Sequence, residues 1–257
     1  RDRVYTLAEI EGPEGWGIRD DTFVVMDHLA ALGVDTTFRL GDRDLATCLD
    51  RARILRFGGT LSKATASIAA AFGVDTRVLP ASDDSIRTRI RTDDGSWLSF
   101  QEYFVERGHR DAVAEVDYAG AAVAAPAPGV IDLIDAAVVV IIAPSNPPLS
   151  IQPILAVDEI AEAVSRHPRV VAISPLFGGK ALKGPADRVM ASLGYPPGNA
   201  GVLAAYDGMI TDLVIDRGDA EDELRLAGSV RIHITDTRLV GDEASARFAS
   251  WFAQTFA

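Results

Sequence analysis

The chain has 257 residues, of which 48% are hydrophobic and 24% charged, a composition that excludes disorder and suffices to bury a sizeable core. Its 37 acidic against 25 basic side chains give a formal charge of −12, so a nucleic-acid surface would work against the field of the whole molecule and no nucleic-acid partner is expected. The longest unbroken apolar runs, such as Ala136 to Ala143, fall well short of the roughly 20 residues a membrane span needs.

The single cysteine, Cys48, excludes an internal disulfide and a cysteine-rich zinc site and suits a reducing cytoplasm. No secretion signal precedes Tyr5, and because the first residue is Arg1 rather than Met, the natural start is expected to lie upstream.

In chain order, Asp20 and Asp21 precede Phe23, Val24, Met26, Leu29 and Leu32, a spacing near 3.6 closed by Gly33; this predicts a helix with an acidic start. Two more helices are predicted from Leu45 to Phe57 and, capped by Ser62, on to Phe72. Alternation at 87–91 and 97–100 around Asp93-Asp94-Gly95-Ser96 predicts an antiparallel hairpin. After the Ala/Pro-rich stretch 124–128 and a short helix at 130–134, the run 137–142 predicts a strand covered on both faces. A helix at 160–165, strands at 169–173 and 213–215, and a closing amphipathic helix from Glu243 to Phe256 complete the pattern. Strand, helix, strand in that order implies a parallel crossover. The predicted fold is α/β, a doubly wound, Rossmann-like, mostly parallel sheet in one domain over 1–257, with an inserted helical and hairpin subdomain at 45–125 that covers the substrate.

No G-x-G-x-x-G, P-loop, H-E-x-x-H or G-x-S-x-G string is present, and the four histidines are scattered. Polar loops at strand ends carry the chemistry instead. Ser145, Asn146, Pro147 and Ser150 follow the first parallel strand, where they either hold phosphate oxygens or form a proline-stiffened turn. The stretch from Ser174 through Gly178, Gly179, Lys180, Lys183 and Gly184 brings paired glycines and two cations, suited to a di- or triphosphate or else to a solvated turn. Arg39, Gly41, Asp42, Arg43 and Asp44 either bind a polar ligand, a metal or a hydroxyl nucleophile, or cap a helix. Asp83 and Asp84 are metal ligands or a capped turn, and Gln101, Glu102 and Tyr103 lie just past the hairpin.

The strings Leu40 to Thr47, Leu79 to Asp84, Phe100 to Phe104, Ala143 to Pro147 with Ser150-Ile151, and Ser174 to Asp187 stand in an order that resembles the 2-phospho-L-lactate transferase family, over roughly residues 5–217. Trp16-Gly17 with Asp21-Thr22-Phe23 adds to the likeness. The resemblance implies a cytoplasmic, homodimeric, Mg²⁺-dependent transferase of coenzyme F-420 biosynthesis. Such an enzyme moves a phospholactyl or phosphoenolpyruvyl group from a guanosine diphospho-linked lactate, enolpyruvate or glycerate to the ribityl hydroxyl of the deazaflavin Fo, and releases GMP.

By that resemblance Asp42 and Asp44 are catalytic, and Asp2, Arg39, Gly41 and Arg43 bind the acceptor. Ser145, Asn146, Pro147, Ser150, Ser174, Gly178, Gly179, Lys180, Lys183 and Gly184 bind the GDP part of the donor. Metal ligands are expected mainly in a preceding segment, with Asp83 and Asp84 as the candidates within this chain. The family's first strand, glycine-rich loop and acidic motifs are not among these residues and are expected upstream of Arg1. The alternative is a nucleotide- or nucleotide-sugar-binding regulator of the same superfamily. On either reading the loops at 41–44, 145–150 and 178–184 are expected to meet in one pocket.

Overall fold

The computed structural model describes residues 2–13, 15–226, 228 and 230–256. The chain divides into two compact units, Arg1–Asp84 and Ser85–Ala257. The boundary falls inside the segment expected to form one covering subdomain, so its helical part belongs to the first unit and its hairpin to the second.

The first unit is helical: α1 (Asp2–Leu7), α2 (Val24–Ala31), α3 (Asp42–Arg56) and α4 (Leu61–Ala71). Its core joins Val4 of α1 to Ile68 and Ala69 of α4, with Phe72, Val74 and Val78 around them. Tyr5 meets Phe72 edge-on, the ring centroids 5.4 Å apart, an arrangement that aligns the positive ring edge with the negative face. Helix α3 stops at Phe57, where Gly58 takes φ +82, a backbone that costs glycine nothing. The start of α4 differs from the sequence reading. Thr60, not Ser62, is the N-cap and accepts the Lys63 N–H at 3.2 Å, while the Asp83 carboxylate accepts the Ser62 N–H at 2.6 Å.

The second unit begins with the antiparallel sheet: β1 (Arg87–Thr92), β2 (Trp97–Ser99) and β3 (Val113–Ala119), in the order β2-β1-β3. The hairpin falls where Asp94-Gly95 predicted it. Asp94 accepts the Thr92 hydroxyl at 2.6 Å and the Ser96 N–H at 2.9 Å, and Gly95 adopts φ +86. Helix α5 (Val130–Ala136) leads to the parallel sheet of β4 (Val140–Ile142), β5 (Val170–Ile173), β8 (Asp212–Asp216) and β9 (Arg231–Thr235), ordered β4-β5-β8-β9. Helices α6 (Gln152–Leu155) and α7 (Asp158–Arg166) connect β4 to β5. Between β5 and β8 run the small hairpin of β6 (Leu176–Phe177) and β7 (Lys180–Ala181), then α8 (Ala186–Ser192) and α9 (Asn199–Tyr206).

After β8 comes α10 (Asp222–Leu226), and α11 (Gly241–Phe256) closes the chain. Phe256 of α11 packs on Val171, Ile173 and Val214, with Phe248, Trp251 and Phe252 around it. The alternating residues Val170, Ala172, Leu213 and Ile215 point to the opposite face and are also fully buried. The central strands are therefore covered on both sides, as a doubly wound sheet requires.

One strand departs from expectation. The run 137–142 forms only Val140–Ile142, at the sheet edge, with Val138 74% and Ile141 50% exposed. Apolar composition marks β-propensity but not position in the sheet. Strand β9 and the hairpin β6–β7 were not read from the sequence, the first because Arg231-Ile232-His233 mixes charge into a buried pair, the second because its strands are two residues long. Among the described residues no helix is long and apolar enough to cross a membrane.

Candidate functional site

In the first unit the motif Gly41 to Asp44 is built by two carboxylates that cap each other's helices. Asp21 accepts the N–H groups of Arg43 at 3.0 Å and Asp44 at 3.1 Å, satisfying donors at the start of α3. Asp42, the first residue of α3, accepts the Val24 and Val25 N–H groups of α2, both at 3.0 Å, and the Thr22 hydroxyl at 2.6 Å. The Asp42 N–H in turn donates to the Thr22 carbonyl at 2.7 Å.

The Thr22 hydroxyl and then the Val25 and Val24 N–H groups hold the Asp42 carboxyl below the usual carboxylate range. A carboxylate so stabilised is a poor proton acceptor. The arrangement gives Asp42 the work of positioning α2 against α3. Asp44 is fully buried and accepts the Tyr5 hydroxyl at 3.0 Å, which ties α3 to α1 and keeps this carboxylate from meeting a solvent-borne substrate directly.

Gly41 is required by space. A Cβ there would stand 2.2 Å from the Asp21 carboxylate oxygen. Gly41→Ala is expected to push Asp21 off the α3 N-terminus and cost about 1–2 kcal/mol, the worth of a helix cap. Urea unfolding measures this; an unchanged midpoint would mean that Asp21 relocates freely.

The acceptor candidates Arg39 and Arg43 are half exposed and already engaged. Arg39 reaches Asp27 at 2.5 Å and lies over the Phe23 ring at 5.1 Å. Arg43 pairs with Asp21 at 3.5 Å and donates to the Arg19 carbonyl. Asp2 accepts the Gly17 N–H at 3.4 Å. Beside them a cavity of about 350 Å³ is lined by Trp16, Phe23, Arg39, Asp21 and Gly41. Trp16, whose ring stacks on Phe38 at 5.7 Å, is the aromatic wall that the sequence reading left without a role.

In the second unit a cavity of about 360 Å³ opens beyond the carboxyl ends of β4 and β5. Open parallel sheets place ligands at such strand ends. Of the residues expected to bind the donor, Ser145, Asn146, Ser150, Lys183 and Gly184 line it. Asn146 accepts the Leu149 N–H at 3.2 Å and so caps the turn Pro147–Ile151. Its Nδ2 is buried with no hydrogen-bond partner among the described residues. Lys183 is exposed and has no ion-pair partner among the described residues.

The remaining donor candidates take up other positions. Pro147 is buried in the turn itself. Ser174 is fully buried; its hydroxyl donates to Asn199 at 2.5 Å and accepts the Leu176 N–H at 3.2 Å, so it holds the loop rather than facing the cavity. Gly178 and Gly179, at φ +60 and +74, make the β6–β7 turn, and Lys180 is exposed on β7. That turn is pinned by Asp219, a residue beyond the strings that drew attention in the sequence. Its carboxylate accepts the Gly179 N–H at 2.6 Å and is 7% exposed. Burial pushes its pKa up, while the Gly179 and Gly178 N–H groups pull it back. An Asp four residues past the predicted strand 213–215 was the only signal available. Within the second unit the loops at 145–150 and 183–184 thus share a cavity, and the loop at 41–44 belongs to the first unit.

Among the described residues no group of three His, Cys, Asp or Glu stands close enough to hold a metal ion. Asp83 is occupied in capping α4 and Asp84 donates its N–H to Ser82 at 2.9 Å. Among the described residues the carboxylates do not assemble a site for Mg²⁺.

A four-stranded parallel sheet with a polar cavity beyond its strand ends defines an α/β protein of the open-sheet class, which places ligands at such ends. The family model of CofD, 2-phospho-L-lactate transferase, matches residues 1–239, and the chain belongs to that family. It is 38% identical over 250 residues to a 2-phospho-L-lactate transferase of Methanopyrus kandleri, covering 96% of this chain and 79% of that one. It is equally 38% identical over 256 residues to a phosphoenolpyruvate transferase of Streptomyces griseus, covering 96% and 80%. Among solved structures, a member of the UPF0052 family from Bacillus halodurans superposes with a TM-score of 0.61 at 18% identity, covering 83% of this chain and 72% of that one, a likeness of fold.

Proposed function

We propose that this transferase carries a phospholactyl or phosphoenolpyruvyl group from a guanosine diphospho-activated donor to the ribityl hydroxyl of the deazaflavin Fo, releasing GMP, in coenzyme F-420 biosynthesis. The observation that carries the donor half is the strand-end cavity, where Ser145, Asn146, Ser150, Lys183 and Gly184 meet although residues 151–182 separate the two loops in sequence.

In the proposed step the hydroxyl oxygen attacks the phosphorus that bears the three-carbon acid. The bond from that phosphorus to the bridging oxygen breaks, GMP leaves with the electron pair, and the hydroxyl proton passes to solvent. Such a reaction asks the protein mainly for alignment and charge neutralisation. Lys183 supplies positive charge to the diphosphate, and the Asn146 amide a hydrogen bond to an oxygen. The Gly178–Gly179 turn, fixed by Asp219, brings backbone near the nucleotide. The acceptor is assigned to the first unit's cavity, where Trp16 and Phe23 offer flat apolar surface and Arg39 a cation. Asp42, Asp44 and Asp21 hold that wall in shape.

The regulator reading has less support, because the relatives at 38% identity are named transferases and the likeness to UPF0052 extends to fold. Incubating the protein with Fo, Mg²⁺ and each of the lactate-, enolpyruvate- and glycerate-bearing guanosine diphosphate donors is expected to release GMP with one of them in preference. No GMP with any donor, from protein that is folded, would end the proposal. Small differences among the three acids are of the kind one or two pocket contacts discriminate.

A further inference from the structure

A further cavity stands at the other end of the parallel sheet's carboxyl edge. Strands β8 and β9 pair in register up to Asp216 opposite Thr235, so the chain leaves both strands side by side, on the edge where open sheets bind ligands. Residues from the two exits and from α11 line a cavity of about 190 Å³. It shares no lining residue with the cavity beyond β4 and β5. Three arginines reach it from three segments: Arg217 directly after β8, Arg238 in the loop after β9, and Arg247 of α11. Phe248 and Trp251 make its apolar wall, and both are anchored by packing on the sheet residues Val171, Ile173 and Val214.

The carboxylates nearby do not saturate these cations. Asp216, 5% exposed, accepts the Gly218 N–H at 2.9 Å and the Thr237 N–H at 3.1 Å, and so ties the two loops together. Asp236, the one carboxylate among the lining residues, accepts the backbone N–H of Arg238 at 3.1 Å. Arg247 meets Glu243 at 2.7 Å, but that side chain is 90% exposed, and so open a pair contributes little. A second observation is independent of charge. Thr235, the last residue of β9, is 8% exposed and lines the cavity, and its hydroxyl has no hydrogen-bond partner among the described residues.

We propose that this cavity is an oxyanion site, in which Arg217, Arg238, Arg247 and the Thr235 hydroxyl bind a phosphate dianion, either free or as the head of a small monoester. A carboxylate is satisfied by one bidentate guanidinium, whereas a phosphate carries more charge and enough oxygens to accept from several forks at once. The volume selects in the same direction. About 190 Å³ lies below the roughly 300–1,000 Å³ of pockets that enclose whole small molecules, so the phosphate sits inside and an ester substituent outside. The site goes beyond the function proposed above and does not depend on it, because the two cavities are built from different residues.

The test titrates the full chain calorimetrically with inorganic phosphate and with glycerol phosphate, at low salt. The variants are Arg217→Gln and Arg247→Gln, which remove a charge from an exposed position, and Thr235→Val, which keeps the branched shape and removes the hydroxyl. Circular dichroism establishes that each is folded. Losing one charge-assisted donor is expected to weaken phosphate binding about tenfold, and losing the neutral hydroxyl roughly two- to tenfold. Lys183→Ala, in the other cavity, is expected to leave this binding in place. Equal affinity for the two probes supports a site for the free ion, and tighter binding of glycerol phosphate supports a site for a monoester. Wild-type protein that binds neither probe overturns the proposal, as does wild-type affinity in both folded arginine variants. Binding that disappears in Lys183→Ala but persists in the arginine variants also overturns it, and places the phosphate in the strand-end cavity of the transferase reading.

Discussion

Asp212→Asn is expected to lower unfolding stability at pH 7 by about 2 kcal/mol and to flatten the acid side of the stability profile. Asp212 opens β8 with 1% of its surface exposed. It accepts Arg231 twice from the adjacent strand, at 2.8 and 2.7 Å, the Thr211 hydroxyl at 2.6 Å, and His233 at 2.8 Å. Burial alone would raise its pKa, but the bonds from Arg231, Thr211 and His233 outweigh it and hold the group at about 2.

A carboxyl depressed in the folded state stabilises the fold above its unfolded pKa of roughly 4, and that contribution drains away as pH falls toward 2. The size follows from a shift of somewhat under two units, each about 1.4 kcal/mol. Arg231 is mostly exposed, so its own side of the pair adds little beyond this. The loss would be felt at the C-terminus too, because the His233 ring packs edge-on against Phe256 of α11 at 4.8 Å. Urea melts at pH 7, 5 and 3 are expected to show wild type and variant converging as the acid is approached. Parallel curves would mean that Asp212 is no more stabilised than an exposed carboxylate.

Lys183→Ala is expected to weaken binding of the guanosine diphosphate donor roughly tenfold, with little change in unfolding stability. A charge-assisted hydrogen bond contributes about 1.5–3 kcal/mol, and solvent exposure takes the lower end of that range, near the 1.4 kcal/mol that corresponds to a factor of ten. Nothing in the fold leans on this side chain, which is exposed and unpaired among the described residues, so folding and binding separate cleanly. The effect is also expected to shrink as salt is added, since the Debye length falls to about 8 Å at physiological ionic strength. Calorimetry at low and at 0.5 M salt checks both statements. An affinity equal to wild type at low salt would make Lys183 a solvated surface cation and move the phosphate elsewhere.

The capping pattern at Gly41 to Asp44 shows how far spacing reaches. Acidic residues at 20–21 and 42–44 read as helix starts; Asp42 and Asp44 do stand in the first turn of α3, whereas α2 begins only at Val24, with Phe23 as its N-cap. Reading along the chain assigns each acid to the helix that follows it, because a local cap spans only two or three residues. The fold crosses them: Asp21 serves α3 and Asp42 serves α2, over separations of 17 to 23 residues. The acid-rich loop forms a clasp between α2 and α3, and Gly41 admits the Asp21 carboxylate, which a Cβ there would meet at 2.2 Å.

By itself, the sequence determined the α/β class, the Asp94-Gly95 hairpin, strands at 169–173 and 213–215, which the structure bounds at 170–173 and 212–216, and the polar loops after them, because each depends on periodicity and turn chemistry within a few residues. Only the tertiary structure decided that the apolar run at 137–142 ends as a short exposed edge, that Ser174 is consumed inside the loop, that Asp219 pins the glycine turn, and that Phe100 and Phe104 share a cavity with Lys183. Those facts rest on contacts between residues some 25 to 80 positions apart, set by which faces pack together and which donors remain unmet, and no local pattern encodes them.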